Sequence, residues 1–342
     1  MRLATLNDGS RDGSLVVVSA DNRRYTPAGG IAGTMQEAFD RWQEAEPQLR
    51  ALAVRLDIGQ IEGRPLVAAN CLAPLPRAYQ WAEASVYTRH LELMHGGRGE
   101  DMPASFWVDP LISEGASSRF LAPREPIMLP EKALELDGGF GLDFEASLAV
   151  ITDDVPTGVS ASEALRHIKL IALVNCITLR HLVPSEIAKG FGFFKSKPAA
   201  SFAPIAVTPD EFGRQWQGGK LAGRLLVTIN TRRFGDLNPA LDMAFDYGQI
   251  IAHAACTRRL PAGSLISAGA VSNGDPARGP GRPISWGGNG YACIAEMRMM
   301  ETVDYGHPDT RFLTDGDVVH IEMVDPRGQS CFGAIEQEVK RI

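Results

Sequence analysis

The stretch GLDFEASLAV, residues 141–150, places Asp143, Glu145 and Ser147 on alternate positions. Successive side chains of a strand point to opposite faces. These three therefore share one face, and Phe144, Ala146 and Leu148 take the other. Two readings follow. Alternation of polar and apolar residues is the ordinary pattern of a half-solvated strand. The same row inside a cleft would be a line of oxygen donors, the ligand type that hard cations such as Mg²⁺ and Ca²⁺ prefer. Ser147 is the odd member of such a row.

The elements that would position this row come from the rest of the chain. It has 342 residues, enough for one large domain or two smaller ones. Its net charge of −7 argues against a nucleic-acid partner, which usually requires a basic patch or stripe. A small anionic substrate needs only a few local cations and stays open. The five cysteines, Cys71, Cys176, Cys256, Cys293 and Cys331, are scattered, with no CxxC pair. That pattern suits a reducing cytoplasm better than a disulfide scaffold. The start, MRLATLNDGSRDG, lacks the apolar core of a signal peptide. No apolar run approaches the ~18 residues of a membrane span. The expectation is a cytoplasmic protein without nucleic-acid or membrane partners.

Residues 1–70 read as a small N-terminal unit. LVVVSA (15–20) is a strand candidate, and Thr34 and Glu37 have capping-box spacing before an amphipathic stretch. The segment CLAPLPRAYQ, 71–80, reads as a proline-punctuated linker into a larger unit, 71–342. Its clearest strands are IMLP, FEASLAVIT, GRLLVTIN, GDVVHIEMV and CFGAIEQEV. One helix is expected from the Ser160–Glu163 capping box through ALRHIKLIALVNC, and another after Asn238–Pro239, including YGQIIAHAACTRR. LELMHGGRGE, 91–100, reads as a mobile glycine-containing segment. Many strands with few helices predict an α+β, β-rich roll or barrel rather than a doubly wound sheet.

Five stretches, in this order, resemble the fumarylacetoacetate hydrolase family in its bacterial two-domain form. They are LAPLPRAYQWAEASVYTRHLELM, GLDFEASLAVITDDVP, LVNCITLRHLVPSEIAKGFGFFKSKPAASFAP, AGSLISAGAVSN and GYACIAEMR. The resemblance spans the chain and implies a β-roll with a small N-terminal domain, in a homodimer. It implies hydrolysis of a carbon–carbon bond in a 1,3-dicarbonyl acid such as an acylpyruvate or fumarylacetoacetate. It also implies Mg²⁺ or Ca²⁺ held by four carboxylates, which would stabilise an enolate.

Residue by residue, the match is partial. The resemblance makes His90 the general base and Arg180 and Lys197 the groups that hold an oxyanion or a substrate carboxylate. Glu83, seven residues before His90, stands where the family has Asp, and Glu145 matches the first Glu of the strand. Ser147 and Cys176 stand where the two remaining carboxylate ligands belong. On the substrate side, Ala270 replaces a Thr and Ser113 a Tyr. With two carboxylates gone, metal binding is expected to be weak or absent. The polar row thus reads as an eroded metal site. Three functions remain open: C–C hydrolysis at a weakened site; a metal-free lyase, isomerase or cyclase acting on an enolisable carbonyl; and a non-catalytic binding paralogue.

Overall fold

Along the central strands, alternate residues fall into two separate buried apolar clusters. Val16, Val18, Leu148, Val150, Ile171 and Leu173 belong to one. Leu15, Val17, Ala149, Ile151, Leu170 and Ala172 belong to the other. Strands that are apolar on both faces require a sheet covered on both sides. The computed structural model describes residues 1–96, 101–116, 118–136, 138–275, 279 and 281–342, and has this arrangement. Phe39, Trp42 and Leu49, from helices Met35–Asp40 and Trp42–Asp57, cover one face. Val319, Ile321 and Ile335 of a second sheet, with Ile250 and Ile251 of helix Tyr247–Ala254, cover the other.

Among the described residues the large sheet has 12 strands. Its central order is Arg2–Leu6, Ile205–Val207, Ile168–Leu179, Ala146–Thr152, Ser264–Ser267, Trp81–Ser85 and Leu111–Glu114. Strand Arg2–Leu6 pairs with Ile205–Val207, so main-chain hydrogen bonds join the N-terminal unit to the rest. The second sheet runs Arg232–Leu237, Arg224–Ile229, Val318–Val324, Ser330–Arg341 and Ile127–Leu129. The five strands expected beyond residue 80 are all present. No helix among the described residues is long and apolar enough to cross a membrane.

The helix expected over 160–176 is a correction. The Ser160–Glu163 capping box forms with both arms, but the helix covers only Ala161–Ala164. A 3₁₀ turn, Leu165–His167, follows, and residues Ile168–Leu179 form the central strand. The run IKLIALVNCITL is apolar almost throughout, so it has no period to separate a buried strand from a buried helix. Its main-chain groups pair with Ala146–Thr152 on one side and with Ala199–Phe202 and Ile205–Val207 on the other. Three helices were not foreseen, Thr88–Gly96, Val183–Ile187 and Ile294–Tyr305. The first takes in most of the segment read as mobile, whose remaining residues, 97–100, lie outside the described residues.

Gly269 follows strand Ser264–Ser267 at φ +89°, and a Cβ there would come 2.5 Å from the Ala84 carbonyl oxygen. Both the left-handed backbone and the close approach to the Trp81–Ser85 strand require glycine. Gly269→Ala is expected to lose about 1–3 kcal/mol of stability. Urea unfolding checks this; an unchanged midpoint would show that the turn is not constrained.

Candidate functional site

Sheet register brings the scattered residues together. Ser267 lies beside Glu83 across a parallel pair, and opposite Ala149 across an antiparallel one. Ser147 lies opposite Val174, two residues before Cys176. By this register Glu83, Ser147, Cys176, Thr178 and Ser267 share one sheet face, and all are buried. The expected strand through 143–147 is interrupted. Leu142–Asp143 and Ala146–Thr152 are separate strands, with Glu145 between them. Asp143, Glu145 and Ser147 are all buried, so the polar row is not a solvated face.

Two cations organise the carboxylates. Lys197 Nζ lies 3.0 Å from Glu83 Oε2 and 3.1 Å from Glu145 Oε2. Arg180 Nε donates to Asp143 Oδ2 at 2.8 Å, and Nη2 lies 2.9 Å from Glu145 Oε1. Thr178 Oγ1 donates to the same Glu145 oxygen at 2.9 Å, and Trp81 Nε1 donates to Glu83 Oε1 at 3.1 Å. The result is an alternating row, Glu83–Lys197–Glu145–Arg180–Asp143. Burial pushes the Glu145 pKa up, but Lys197, Arg180 and His90 outweigh it and bring it down to about 2. Burial likewise opposes the charge on Lys197, yet Glu145 and Glu83 hold its pKa above the usual lysine value. The buried thiols of Cys176 and Cys293 are pushed well above the usual thiol range by desolvation.

Lys197 follows a loop held by a residue that the sequence did not single out. The Glu186 carboxylate accepts N–H groups from Phe194, Lys195 and Ser196 and the Ser196 hydroxyl, at 2.6–3.2 Å. Asp143 has an equally local task. Beyond Arg180, it accepts the N–H groups of Phe144, Ile294 and Ala295 at 2.9, 2.7 and 3.0 Å. A carboxylate at the start of helix Ile294–Tyr305 satisfies main-chain donors that have no partner within the helix. Burial pushes the Asp143 pKa up, against the pull of Arg180 and these N–H groups.

That helix carries Glu296, whose Oε1 lies 2.8 Å from His90 Nδ1. In the tautomer that donates Nδ1–H to this carboxylate, Nε2 of a neutral imidazole keeps its lone pair. Sequence reading missed Glu296 because the helix that carries it, Ile294–Tyr305, was not foreseen. Ala270 packs with Cys293, Ala295 and Met94. Ser113 is not brought into the cluster. Its hydroxyl turns toward the Glu83 carbonyl at 3.4 Å, and it lines a separate cavity of about 240 Å³ with Ala82, His253 and Arg258. A larger cavity, about 510 Å³, lies beside Arg232, Arg233 and Phe312. The charged cluster is itself packed, with Glu83, His90 and Glu145 each no more than 9% exposed.

A strand-rich scaffold with a buried acid–base pair beside a row of ionised groups defines an enzyme-type site. Residues 1–77 match the fumarylacetoacetase N-terminal domain 2, and residues 80–340 match the fumarylacetoacetate (FAA) hydrolase C-terminal domain. The chain belongs to the fumarylacetoacetate hydrolase family, whose members include hydrolases and isomerases. An uncharacterised protein of Pyrococcus horikoshii is 26% identical over 178 residues, 52% of this chain and 73% of that protein. The 5-carboxymethyl-2-hydroxymuconate delta-isomerase of Mycobacterium smegmatis superposes with TM-score 0.56 at 17% identity, over 100% of this chain and 99% of that one. Maleylpyruvate hydrolase from Sphingobium sp. SYK-6, in complex with manganese(II) and pyruvate, does so with TM-score 0.62 at 16% identity, over 100% and 99%.

Divalent metal therefore occurs in the family, and the donor set here tests whether it fits. A hard cation needs several free oxygens. The Oε2 atoms of Glu83 and Glu145 both face the Lys197 ammonium, and Glu145 Oε1 is engaged by Thr178 and Arg180. The remaining two positions offer the Ser147 hydroxyl and a protonated Cys176 thiol. These residues do not fit a hard divalent cation at the expected position.

Lys197 is then the group that keeps Glu83 and Glu145 buried together. Lys197→Met is expected to cost about 3–5 kcal/mol at pH 7, since it leaves uncompensated buried charge. In the natural protein the Glu145 pKa falls from 4.5 to about 2. Its stabilising contribution is thus full above pH 4.5 and is lost as pH drops toward 2. In the variant the carboxylate pKa values rise and protonation relieves the repulsion. The stability gap should narrow between pH 7 and about pH 5. Urea unfolding at both pH values measures it, and a pH-independent gap would show that Lys197 contributes packing alone.

Proposed function

We propose that the chain is an isomerase-type enzyme that moves a proton at the carbon next to the carbonyl of a small enolisable carboxylic acid. In this reading no divalent cation sits among Glu83, Glu145, Ser147 and Cys176. The observation that carries it is the Lys197 ammonium between Glu83 and Glu145. His90 Nε2 takes the proton. Glu296 accepts the Nδ1 hydrogen, fixes the tautomer and stabilises the imidazolium that forms. An ammonium has three donors, and Lys197 uses two on Glu145 and Glu83. The third is available to the developing enolate oxygen. Arg180 Nη2 is near Glu145 but not aligned for a hydrogen bond, and supplies a second donor. Four carboxylates, Glu83, Asp143, Glu145 and Glu296, face two permanent cations. The site therefore favours a substrate whose reacting end is neutral, with its carboxylate held away from that end.

Hydrolysis of a C–C bond in a 1,3-dicarbonyl acid is the second reading. It is favoured by the same His90–Glu296 pair, which is equally suited to activate a water. The two readings differ in product. Chelator-treated protein in D₂O, given a panel of 2-oxo acids and acylpyruvates, should exchange or relocate the α-proton without cleavage. His90→Ala should lower that rate by about 10²- to 10⁴-fold with folding intact. Cleaved products, or activity lost to chelator and restored by Mg²⁺ or Mn²⁺, would select hydrolysis instead.

A further inference from the structure

The helices Thr88–Gly96 and Ile294–Tyr305 pack through Leu93 and Met300, and bring together three ligand-type side chains. One ligand atom each from His90, Cys293 and Glu296 lies within 4.8 Å of the others, and all three residues are buried. Cys293 caps the second helix and Glu296 stands three residues later, so the two share one face of its first turn. Glu296 is 0% exposed. Its Oε1 meets His90, but Oε2 is buried with no hydrogen-bond partner among the described groups. An unsatisfied carboxylate oxygen in the interior is costly. Here it lies near a fully buried thiol at the N-cap that begins the same turn.

We infer that His90, Cys293 and Glu296 form a site for a zinc(II)-type cation, separate from the carboxylate positions that Lys197 occupies. The donor chemistry selects the metal. One nitrogen, one sulfur and one oxygen suit a borderline-soft ion, whereas Mg²⁺ and Ca²⁺ take oxygens. Three protein ligands with a fourth position open match a common zinc arrangement. Tetrahedral bonds of about 2.0–2.3 Å place ligand atoms roughly 3.3–3.8 Å apart, so binding spreads the His90 Nδ1–Glu296 Oε1 contact, now 2.8 Å, and draws in any ligand atom that starts near the 4.8 Å limit. Charge balances too. The Cys293 thiol releases its proton to solvent, the His90 hydrogen moves from Nδ1 to Nε2, and Zn²⁺ with one thiolate and one carboxylate is neutral. Zinc so bound removes the lone pair that proton abstraction would use. Binding is therefore expected to inhibit, and only this consequence rests on the proposed function.

The test is a cobalt(II) titration of the chelator-treated full chain. One equivalent should produce a near-ultraviolet thiolate-to-cobalt absorption band, which Zn²⁺ then displaces. Zn²⁺ should also raise the thermal unfolding midpoint by mass action, and Mg²⁺ should not. Cys293→Ser should abolish the band, and Cys256→Ser, at an exposed thiol, should leave it intact. If Cys293→Ser does not fold, Glu296→Gln carries the test, with zinc binding weakened at least about tenfold. Absence of a band in the natural protein overturns the inference, as does a band lost in Cys256→Ser but kept in Cys293→Ser. These readouts need no turnover, so a failed activity assay leaves the metal site decided on its own evidence.

Discussion

Placing five ionised groups in a protein interior is the constraint on which the rest of this molecule turns. Each charge removed from water loses hydration worth several kcal/mol, and only close partners offset it. The row Glu83–Lys197–Glu145–Arg180–Asp143 meets that demand by alternation, so that every interior member lies between opposite charges. Its members come from strand Trp81–Ser85, from the Leu142–Glu145 region, from the end of strand Ile168–Leu179 and from the loop after helix Val183–Ile187. Correct sheet register is therefore a condition for neutralising the row. A shift of one residue would turn Glu83 or Glu145 to the opposite face, against Leu148 and Val150.

This arrangement changes how the missing ligands are understood. By the family resemblance, Ser147 and Cys176 stand where two carboxylate ligands would be, which weakens a hard-cation site by ligand count alone. The geometry adds a second effect, because Lys197 engages the two carboxylates that remain. An ammonium and a divalent cation compete for the same oxygens, and the ammonium is covalently tethered at high local concentration. Glu186 makes that tether effective, since four hydrogen bonds to its carboxylate hold the turn that leads into Lys197.

Much of this was legible in the sequence. The five strands named beyond residue 80 are present, and the two capping residues Thr34 and Ser160 start helices as their spacing indicates. The failures have physical causes. Residues 168–176 were read as helix because an almost entirely apolar run carries no periodicity, and only its strand partners decide its form. The pairing of Lys197 with Glu83 was not legible, since more than a hundred residues separate them and a loop conformation brings them together. Glu296 was missed because its helix was not foreseen, and 206 residues separate it from His90. The structure places Ser113, expected on the substrate side, on the edge strand Leu111–Glu114, outside the charged cluster.

Asp143 explains how the charged row and the acid–base pair form one unit. It closes the row through Arg180, and it holds the first N–H groups of helix Ile294–Tyr305. That helix fixes Glu296 in the same first turn, and Glu296 meets the His90 ring. The path from the sheet to the base therefore runs through main-chain hydrogen bonds and one buried carboxylate pair. None of its links uses the positions occupied by Ser147 and Cys176. Replacing those two ligands can alter what binds among the strands while leaving the orientation of His90 untouched. In the proposed function, a site built this way lacks affinity for a hard metal and still keeps His90 positioned as the base, the condition that proton-transfer chemistry requires.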